Sequence, residues 1–483
     1  MSNVEIMANL FAFSTANGVN EFLKTLSDKN FRYHHFWLNQ EKFRSGLEDY
    51  KPPRKLVCIS LQTNSDVVND LNNNDSSRIP YVIYGELKPR FDRRLNIDLR
   101  NEIDLIIEEN ICDDNALREK IYDFLLKFIV IANVRGKIKV ISDHLGFYSL
   151  HKCVIGALEV YSNWKKSIWR LGASTSSKLD RIPRESSIPV SKIVTPREEQ
   201  SAIRLLKDLL SESILKGMPE KSRIGVMFSG GLDSLVLTKL ILEVNEKLHN
   251  EVILLSSGLR NSTDLRNVRL ANNYLKLPLE VSYLDISGCL KELPEILRTV
   301  ERYDTLNVSL ALAEYFSLKR AAELELKIIF TGQGADEIFY GYHKYIEAFK
   351  KSENIKKISD GDLSSLSHRN LERETKLALK FDLELKYPYL DTKVISYARN
   401  LPDEYKIKFS NGDVIGKYAL RRLCILLGIP ESLISKKIAM QYGSGSMKIL
   451  KKISSREKPQ CDSNFKITTF LKKFFSSIRF TDS

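Results

Sequence analysis

The chain has 483 residues, too many for one ordinary hydrophobic core, and its length predicts roughly two to three domains. With 43% hydrophobic and 28% charged residues it reads as globular, and no apolar stretch reaches the roughly 18 to 20 residues that a membrane helix needs. The formal net charge of +13 raises the question of nucleic acid, but the basic residues are spread along the chain and densest as lysine pairs in the last third, which favours a solvated surface over a nucleic-acid groove.

The first residues, MSNVEIMANLF, lack the basic-then-apolar order of a signal peptide, so a cytoplasmic protein is expected, with no membrane partner. From about residue 7 to 165, short β-like runs (KLVCISLQ, YVIYGEL, FIVIANV, KIKVISD) surround one helical stretch, NALREKIYDFLLKF. That mixture predicts an α+β domain with antiparallel sheets. Residues 174–196, dense in Ser, Pro and mixed charge, read as an exposed linker. Beyond it strands and helices alternate. A helix through REEQSAIRLLKDLLSESILK leads to strand RIGVMF, a helix after Asp233, strand EVILLSS, helix DLRNVRLANNYLK, strand LEVSYLDI, helix NVSLALAEYFSLKRAAEL and strand KIIFTG. This order predicts a parallel, doubly wound α/β sheet with its ligand at the carboxyl ends of the strands. Domain limits of 1–173, 174–196, 197–450 and a basic tail over 451–483 follow; the tail is either a packing helix or a contact surface. The six scattered cysteines show no CxxC, and the seven histidines show no ligand spacing beside them, so neither a disulfide framework nor a zinc site is supported.

The turn Ser229-Gly230-Gly231-Leu232-Asp233-Ser234 carries the most chemistry. Two glycines between a strand and a helix let backbone N–H groups converge on one point, and the helix start adds its positive dipole end. That concavity suits an anion. Asp233 would repel a bare phosphate, but it fits if Mg²⁺ lies between them, so the turn predicts a metal-bridged polyphosphate. A Walker A loop requires GxxxxGK[ST], which is absent, and GQGADE lacks the third glycine of a dinucleotide fingerprint. A mere tight turn leaves Asp233 unexplained. Asp336 and Glu337 lie just beyond strand KIIFTG, at the edge where such a sheet binds ligand, an address that also suits helix capping.

The turn resembles the SGGxDS pyrophosphate loop of the ATP pyrophosphatases, which include GMP synthetases, tRNA lysidine synthetases and asparagine synthetases. Further stretches are similar to asparagine synthetases in particular: IIFTGQGADEIFYGYHKY, LELKYPYLD, VERYDTLNV, SSGLRNSTDLRNVRLANNYL, and GKYALRRL followed by SKKIAMQYGSG, in the family's order over roughly Arg197 to Gly445. SHRNLERE is especially close to the asparagine synthetase domain-containing proteins. The resemblance implies an ATP pyrophosphatase (adenine nucleotide alpha hydrolase-like) fold behind an N-terminal Ntn-hydrolase-like sandwich. It implies ATP and Mg²⁺, aspartate and ammonia as small-molecule substrates, and allows a homodimer. In such enzymes the β-carboxylate of aspartate attacks the α-phosphate to give aspartyl-AMP and pyrophosphate, and an amine then displaces AMP. By resemblance, Ser229, Gly230, Gly231 and Ser234 cradle pyrophosphate, Asp233 and Asp336 hold Mg²⁺, and Ser257, Gly332 and Gly334 join the nucleotide site. Lys417 and Lys437 bring positive charge to the phosphates, with Lys436 as a substitute for Lys437, and a solvated surface role stays open for each lysine. Asp391 sits ahead of a helix as a cap, in a segment expected to shape the amino-acid pocket.

Three departures qualify the likeness. Glutamine-using asparagine synthetases begin Met-Cys-Gly-Ile, and the freed cysteine liberates ammonia; here the comparable stretch is MANLFAFS, with Ala8 in the cysteine's place, and Ser2 lacks the Cys-Gly-Ile context. IPYVIYGEL resembles the NGE strand, with Tyr84 in place of the asparagine, while VISDHLGFYSL is similar to the RDxxGxxPL turn. Free ammonia is therefore the expected nitrogen donor. The third is Gln333, where the family carries a glutamate able to take a proton from ammonia; an amide accepts hydrogen bonds but is no base. The alternatives are adenylation of another carboxylate or use of another amine, as in β-lactam synthetases, and a catalytically silent ATP-binding assembly factor.

Overall fold

The computed structural model describes residues 10–14, 35–38, 41–42, 57–60, 81–87, 105–107, 109–121, 125–134, 137–155, 158–162, 165, 180–181, 195–410, 413–433, 443–456 and 467–478. The chain divides into two units, Met1–Ser186 with Arg479–Ser483, and Ser187–Ile478.

The first unit contains strands β1 (Leu10–Ser14), β2 (His35–Leu38), β3 (Glu41–Lys42), β4 (Val57–Ser60), β5 (Tyr81–Leu87), β6 (Leu125–Val134), β7 (Lys137–Ser142), β8 (His151–Ile155), β9 (Leu158–Ser162) and β10 (Asp180–Arg181), with helix α1 (Asp114–Ile121) before β6. Seven of the strands form one sheet in the order β10-β8-β9-β1-β4-β2-β3, and β5-β6-β7 form another. All their pairings are antiparallel. Helix α1 is shorter than the sequence predicts: it stops at Ile121, and LLKF opens β6 instead. The reason is the apolar run that follows, LLKFIVIANV, whose residues 127–131 are all buried, so both faces of the strand are covered. Tyr84 lies in β5 opposite Ile129. In the turn after β7 the Asp143 carboxylate accepts the N–H groups of Leu145 (3.0 Å) and Phe147 (3.2 Å), and Gly146 takes φ 51°. Ser2 and Ala8 lie outside the described residues.

In the second unit, α2 (Glu199–Lys216) leads to β11 (Arg223–Met227), α3 (Leu232–Asn245), β12 (Glu251–Gly258), α4 (Thr263–Leu275) and β13 (Leu279–Tyr283). Helices α5 (Ile286–Val300) and α6 (Thr305–Glu323) precede β14 (Ile328–Phe330), a one-turn α7 (Ala335–Ile338), α8 (His343–Lys350), α9 (Ile355–Leu366) and α10 (Glu372–Lys380). Strand β15 (Glu384–Lys386), α11 (Thr392–Asn400), the hairpin β16 (Ile407–Ser410) and β17 (Asp413–Gly416), α12 (Tyr418–Leu426), α13 (Ser446–Arg456) and α14 (Ile467–Ser477) complete it. The last two helices bury Ile449, Leu450, Phe470 and Leu471 against the α5 and α6 layer.

The central sheet has the order β13-β12-β11-β14-β15 and is parallel throughout. Val226, Leu254, Ile329 and Phe330 supply its buried centre, and α3 is buried on nearly every side through Leu235, Val236, Leu240 and Ile241. The chain runs outward from β11 through β12 to β13, then returns to β14 on the other flank of β11. The order therefore reverses between β11 and β14, and the crevice at their carboxyl ends is where an open α/β sheet binds ligand. Strand β15, three residues of ELK with one glutamate, carries too little periodicity to be predicted and is fixed by pairing with β14.

Candidate active site

The loop after β11 is shaped by Gly230. Its φ of 67° is left-handed, and a Cβ there would lie 2.5 Å from the Asn267 carbonyl carbon and the Val268 nitrogen of α4, so conformation and space both demand glycine. The Ser229 hydroxyl accepts the Gly231 N–H at 3.3 Å and lies 3.3 Å from the Ser234 hydroxyl, which donates to the Gly231 carbonyl at 3.1 Å. Gly231 caps α3 without a side-chain bond, which presents the first N–H groups of a 14-residue helix and its positive dipole end at the loop. Thr238 anchors that first turn by donating to the Ser234 carbonyl at 2.7 Å.

Asp233 stands in the first turn of α3, and Asp336 in α7 just beyond β14, so neighbouring strands deliver the two carboxylates to the switch point. Helix α7 is capped by Gly334, at φ 95°, without a side-chain bond. Between the carboxylates lies Lys417. Its Nζ is 2.7 Å from Asp233 Oδ1, 2.5 Å from Asp233 Oδ2 and 2.6 Å from Asp336 Oδ1. The lysine side chain is 8% exposed and the carboxylates 21% and 20%. Burial alone would lower the Lys417 ammonium, but Asp233 and Asp336 outweigh it and hold it above its ordinary range.

Lys417 reaches this point through a strained backbone. It takes the left-handed conformation, φ 54° and ψ 34°, at the head of α12, and its N–H donates to the Phe339 carbonyl at 3.0 Å. The segment it crosses ends in Gly341, where a Cβ would stand 2.0 Å from Asp336 Oδ1 and 2.1 Å from Lys417 Cε. The glycine is the space through which the lysine stem and the aspartate meet. One turn along α12, Arg421 donates from Nε to the Gly416 carbonyl at 3.2 Å; burial lowers its guanidinium from the ordinary range.

The remaining predicted residues fall around this centre. Gly332 follows β14 with its Cα face against Asp233, where a Cβ would sit 3.4 Å from Asp233 Cβ. Gln333 is half-buried beside it, its N–H directed at the Thr331 hydroxyl at 3.4 Å. Ser257, near the end of β12, is buried and donates its hydroxyl to the Ala313 carbonyl of α6 at 2.6 Å. Lys436 and Lys437 lie outside the described residues. Asp391 accepts the Lys393 N–H and pairs with Lys216, both at 2.8 Å, and caps α11.

Several residues that shape the site escaped prediction. Gly341 is visible only as a small residue in FYGYHKY. Tyr389 belongs to the noticed PYLD segment, but its role is a long-range hydrogen bond from its hydroxyl to the Asp233 carbonyl, at 3.0 Å. Arg373 of α10 holds Glu314 of α6 through two bonds, 2.6 and 2.8 Å long, within the helical layer. Burial and then Glu314 push the adjacent Glu374 carboxyl up to about 8, against the pull of Arg373. Glu337, which the sequence already placed beside Asp336, accepts the Tyr342 hydroxyl at 2.7 Å; burial, then Glu337, raise that phenol above its ordinary range. The signal for this layer was the charge density of LERE, which a solvated helix face also explains.

The comparisons with known proteins bear on this geometry. A family profile described as asparagine synthase matches residues 205–359 and 347–464, together more than half of the chain. The chain belongs to the asparagine synthase family. Among curated relatives, a putative asparagine synthetase [glutamine-hydrolyzing] 1 of Methanocaldococcus jannaschii is 30% identical over 213 residues, covering 44% of this chain and 38% of the relative. The asparagine synthetase [glutamine-hydrolyzing] of Zea mays is 24% identical over 257 residues, 51% of this chain and 43% of its own. The mouse asparagine synthetase domain-containing protein 1 is 24% identical over 317 residues, 53% of this chain and 50% of its own. The chain thus spans half or less of the length of these relatives. Both carboxylates and Lys417 fall inside the matched region.

The donor set fits a hard divalent cation. Two carboxylates converge on one positive centre, the Lys417 ammonium. Among the described residues no three His, Cys, Asp or Glu side chains gather into a complete cage. A pair of carboxylates suits Mg²⁺, which takes its other ligands from phosphate oxygens and water. No helix of the described residues is long and apolar enough to cross a membrane.

Proposed function

We propose that the protein is an ATP-dependent amide-forming ligase of the ATP pyrophosphatase type, which activates the side-chain carboxylate of aspartate as an acyl-AMP and transfers it to free ammonia. The observation that carries this reading is the meeting of Asp233, Asp336 and Lys417 beside a glycine loop at the switch point of a parallel sheet. The Ser229–Gly231 backbone and the Ser229 and Ser234 hydroxyls hold the departing pyrophosphate, and the α3 dipole favours its charge. Asp233 and Asp336 would hold Mg²⁺. When bound, that ion neutralises charge developing on the pyrophosphate. Tyr389 fixes the Asp233 peptide, and Lys417 brings an ammonium to the phosphates. Gly332 leaves room beside Asp233 for the nucleotide, while Gly334 turns the chain into α7 against Leu390, where a Cβ would stand 2.2 Å from its Cδ2; Ser257 shapes the neighbouring strand end and Lys437 adds charge.

Ammonia is preferred to glutamine because Ala8 and Tyr84 replace the nucleophile and oxyanion donor of the glutamine-using relatives. The domain over 1–173 is read as retained for structure, and the reaction is placed in the cytoplasm. Incubation of the full chain with α-labelled ATP, Mg²⁺, aspartate and ammonium should yield AMP, pyrophosphate and asparagine. Pyrophosphate without asparagine would transfer the reading to another carboxylate or amine, as Gln333 allows. No pyrophosphate with any amino acid would reduce the protein to an ATP-binding factor. Asparagine formed from glutamine without ammonium would overturn the donor assignment.

A further inference from the structure

We propose that Lys417 is a tethered counter-ion that occupies the metal position until nucleotide arrives, so that a divalent cation and the lysine ammonium compete for the same two carboxylates. The inference rests on the ligase reading for the identity of the ligands, but the competition concerns the protein and the metal alone.

Three observations carry it. The ammonium contacts both oxygens of Asp233 and Oδ1 of Asp336 at 2.5 to 2.7 Å, which is the region a cation bridging the pair must enter. A hard cation bound to both carboxylates at about 2.0 to 2.1 Å would stand close to the present Nζ, and two positive centres cannot share that space. The lysine is also aimed by its backbone: its left-handed φ of 54°, its N–H bond to Phe339 and the missing side chain of Gly341 direct the stem at the carboxylates. With a side chain only 8% exposed, it has little solvent into which to retreat. A polyphosphate at the Ser229–Gly231 loop changes this balance. Its oxygens would supply a new partner for the ammonium, so that Lys417 would swing to phosphate and Asp233 and Asp336 would be left to hold the metal. Metal and nucleotide therefore enter together, and Lys417 couples them.

The test uses Mn²⁺ as the probe, followed by electron paramagnetic resonance and calorimetry on the full chain, alone and with α,β-methylene-ATP. In the wild type Mn²⁺ alone should bind weakly, and the nucleotide analogue should tighten it. In Lys417→Met, which keeps the stem and removes the charge, Mn²⁺ alone should bind about tenfold tighter or more, the factor expected if the lysine-paired state holds nine-tenths of the population. The tightening by nucleotide should shrink in the same proportion. Lys417→Gln provides a second uncharged variant should the first not fold, and Asp233→Asn reports loss of the metal. Equal or weaker Mn²⁺ binding in the uncharged variants overturns the competition, as does tight binding of Mn²⁺ alone to the wild type. Mn²⁺ binding that fails in every variant even with the nucleotide analogue would instead defeat the ligase reading, and the competition with it.

Discussion

Gly341→Ala tests the geometry at its narrowest point. The added Cβ would stand 2.0 Å from Asp336 Oδ1, 2.1 Å from Lys417 Cε and 3.0 Å from Asp336 Cα. Non-bonded carbon atoms rest at about 3.5 to 4.0 Å, so carboxylate and stem must each give way by about 1.5 Å. The two closest atoms belong to side chains that must leave a largely buried ion pair, so stability should fall by about 1 to 3 kcal/mol, the range of overpacking costs. Swinging breaks the convergence of Asp336 and Lys417 on one point. A displacement of about 1 Å at reacting groups can cost about 100-fold in rate, so on the proposed ligase reading pyrophosphate release should fall by about that factor or more, while the melting temperature falls by about 2 to 4 °C for each kcal/mol lost. Rates come from a coupled pyrophosphate assay at saturating ATP and aspartate, with thermal unfolding in parallel. A Gly341→Ala protein that turns over at the wild-type rate would refute the claim that this glycine makes room for the charged centre.

Other perturbations follow from the same contacts. Tyr389→Phe removes the hydroxyl that serves the Asp233 carbonyl; it should lower stability by about 1 kcal/mol in urea unfolding and slow pyrophosphate release several-fold. Arg373→Met strands Glu314 and Glu374 in the helical layer and should cost about 3 to 5 kcal/mol, the usual penalty for removing one partner of a buried pair. Asp264, at the N-terminus of α4, has its carboxyl raised by burial from 3.8 to about 7. The folded protein then keeps a proton that the unfolded chain has lost, so its contribution to stability falls as pH rises from about 4 to about 7. Asp264→Asn removes that dependence. Its melting temperature relative to wild type should climb across the window and level off above about pH 8, and parallel curves would disprove the assignment.

How much of this was legible depended on the range of the interaction. Strands β11, β12 and β14 announce themselves as apolar runs ending in Ser or Gly, and α6 by its helical pattern, so the parallel sheet and its ligand-binding edge followed from local sequence. Asp233 and Asp336 drew notice because each lies a few residues past such a strand, and the structure brings both to Lys417. Strand β15 was missed because three residues cannot display a period. Helix α1 was extended too far because LLKF suits either a helix or the strand that β5 and β7 flank. Lys417 was placed by family likeness, but its contact with Asp233 spans 184 residues, and its left-handed backbone lacks the usual glycine or asparagine signal. Gly341 could not be weighed before its neighbours were known, since its value lies in two side chains that approach from different segments.

The site also explains why carboxylates stand beside an anion-binding loop. The Ser229–Gly231 turn and the dipole of α3 favour negative charge, and two aspartates there would repel it at short range. Lys417 offsets part of that charge, and the Arg421 guanidinium one turn along α12 also acts on Asp233. A nucleotide without a metal would add further negative charge beside the carboxylates; a metal without a nucleotide would have to displace a lysine that is already well paired. On the proposed ligase reading, only the two together would satisfy the carboxylates, the loop N–H groups and the ammonium at once. Selectivity for a metal-bound polyphosphate would then come from each half-loaded state being electrostatically poor, a stronger constraint than the complementarity of the loop alone.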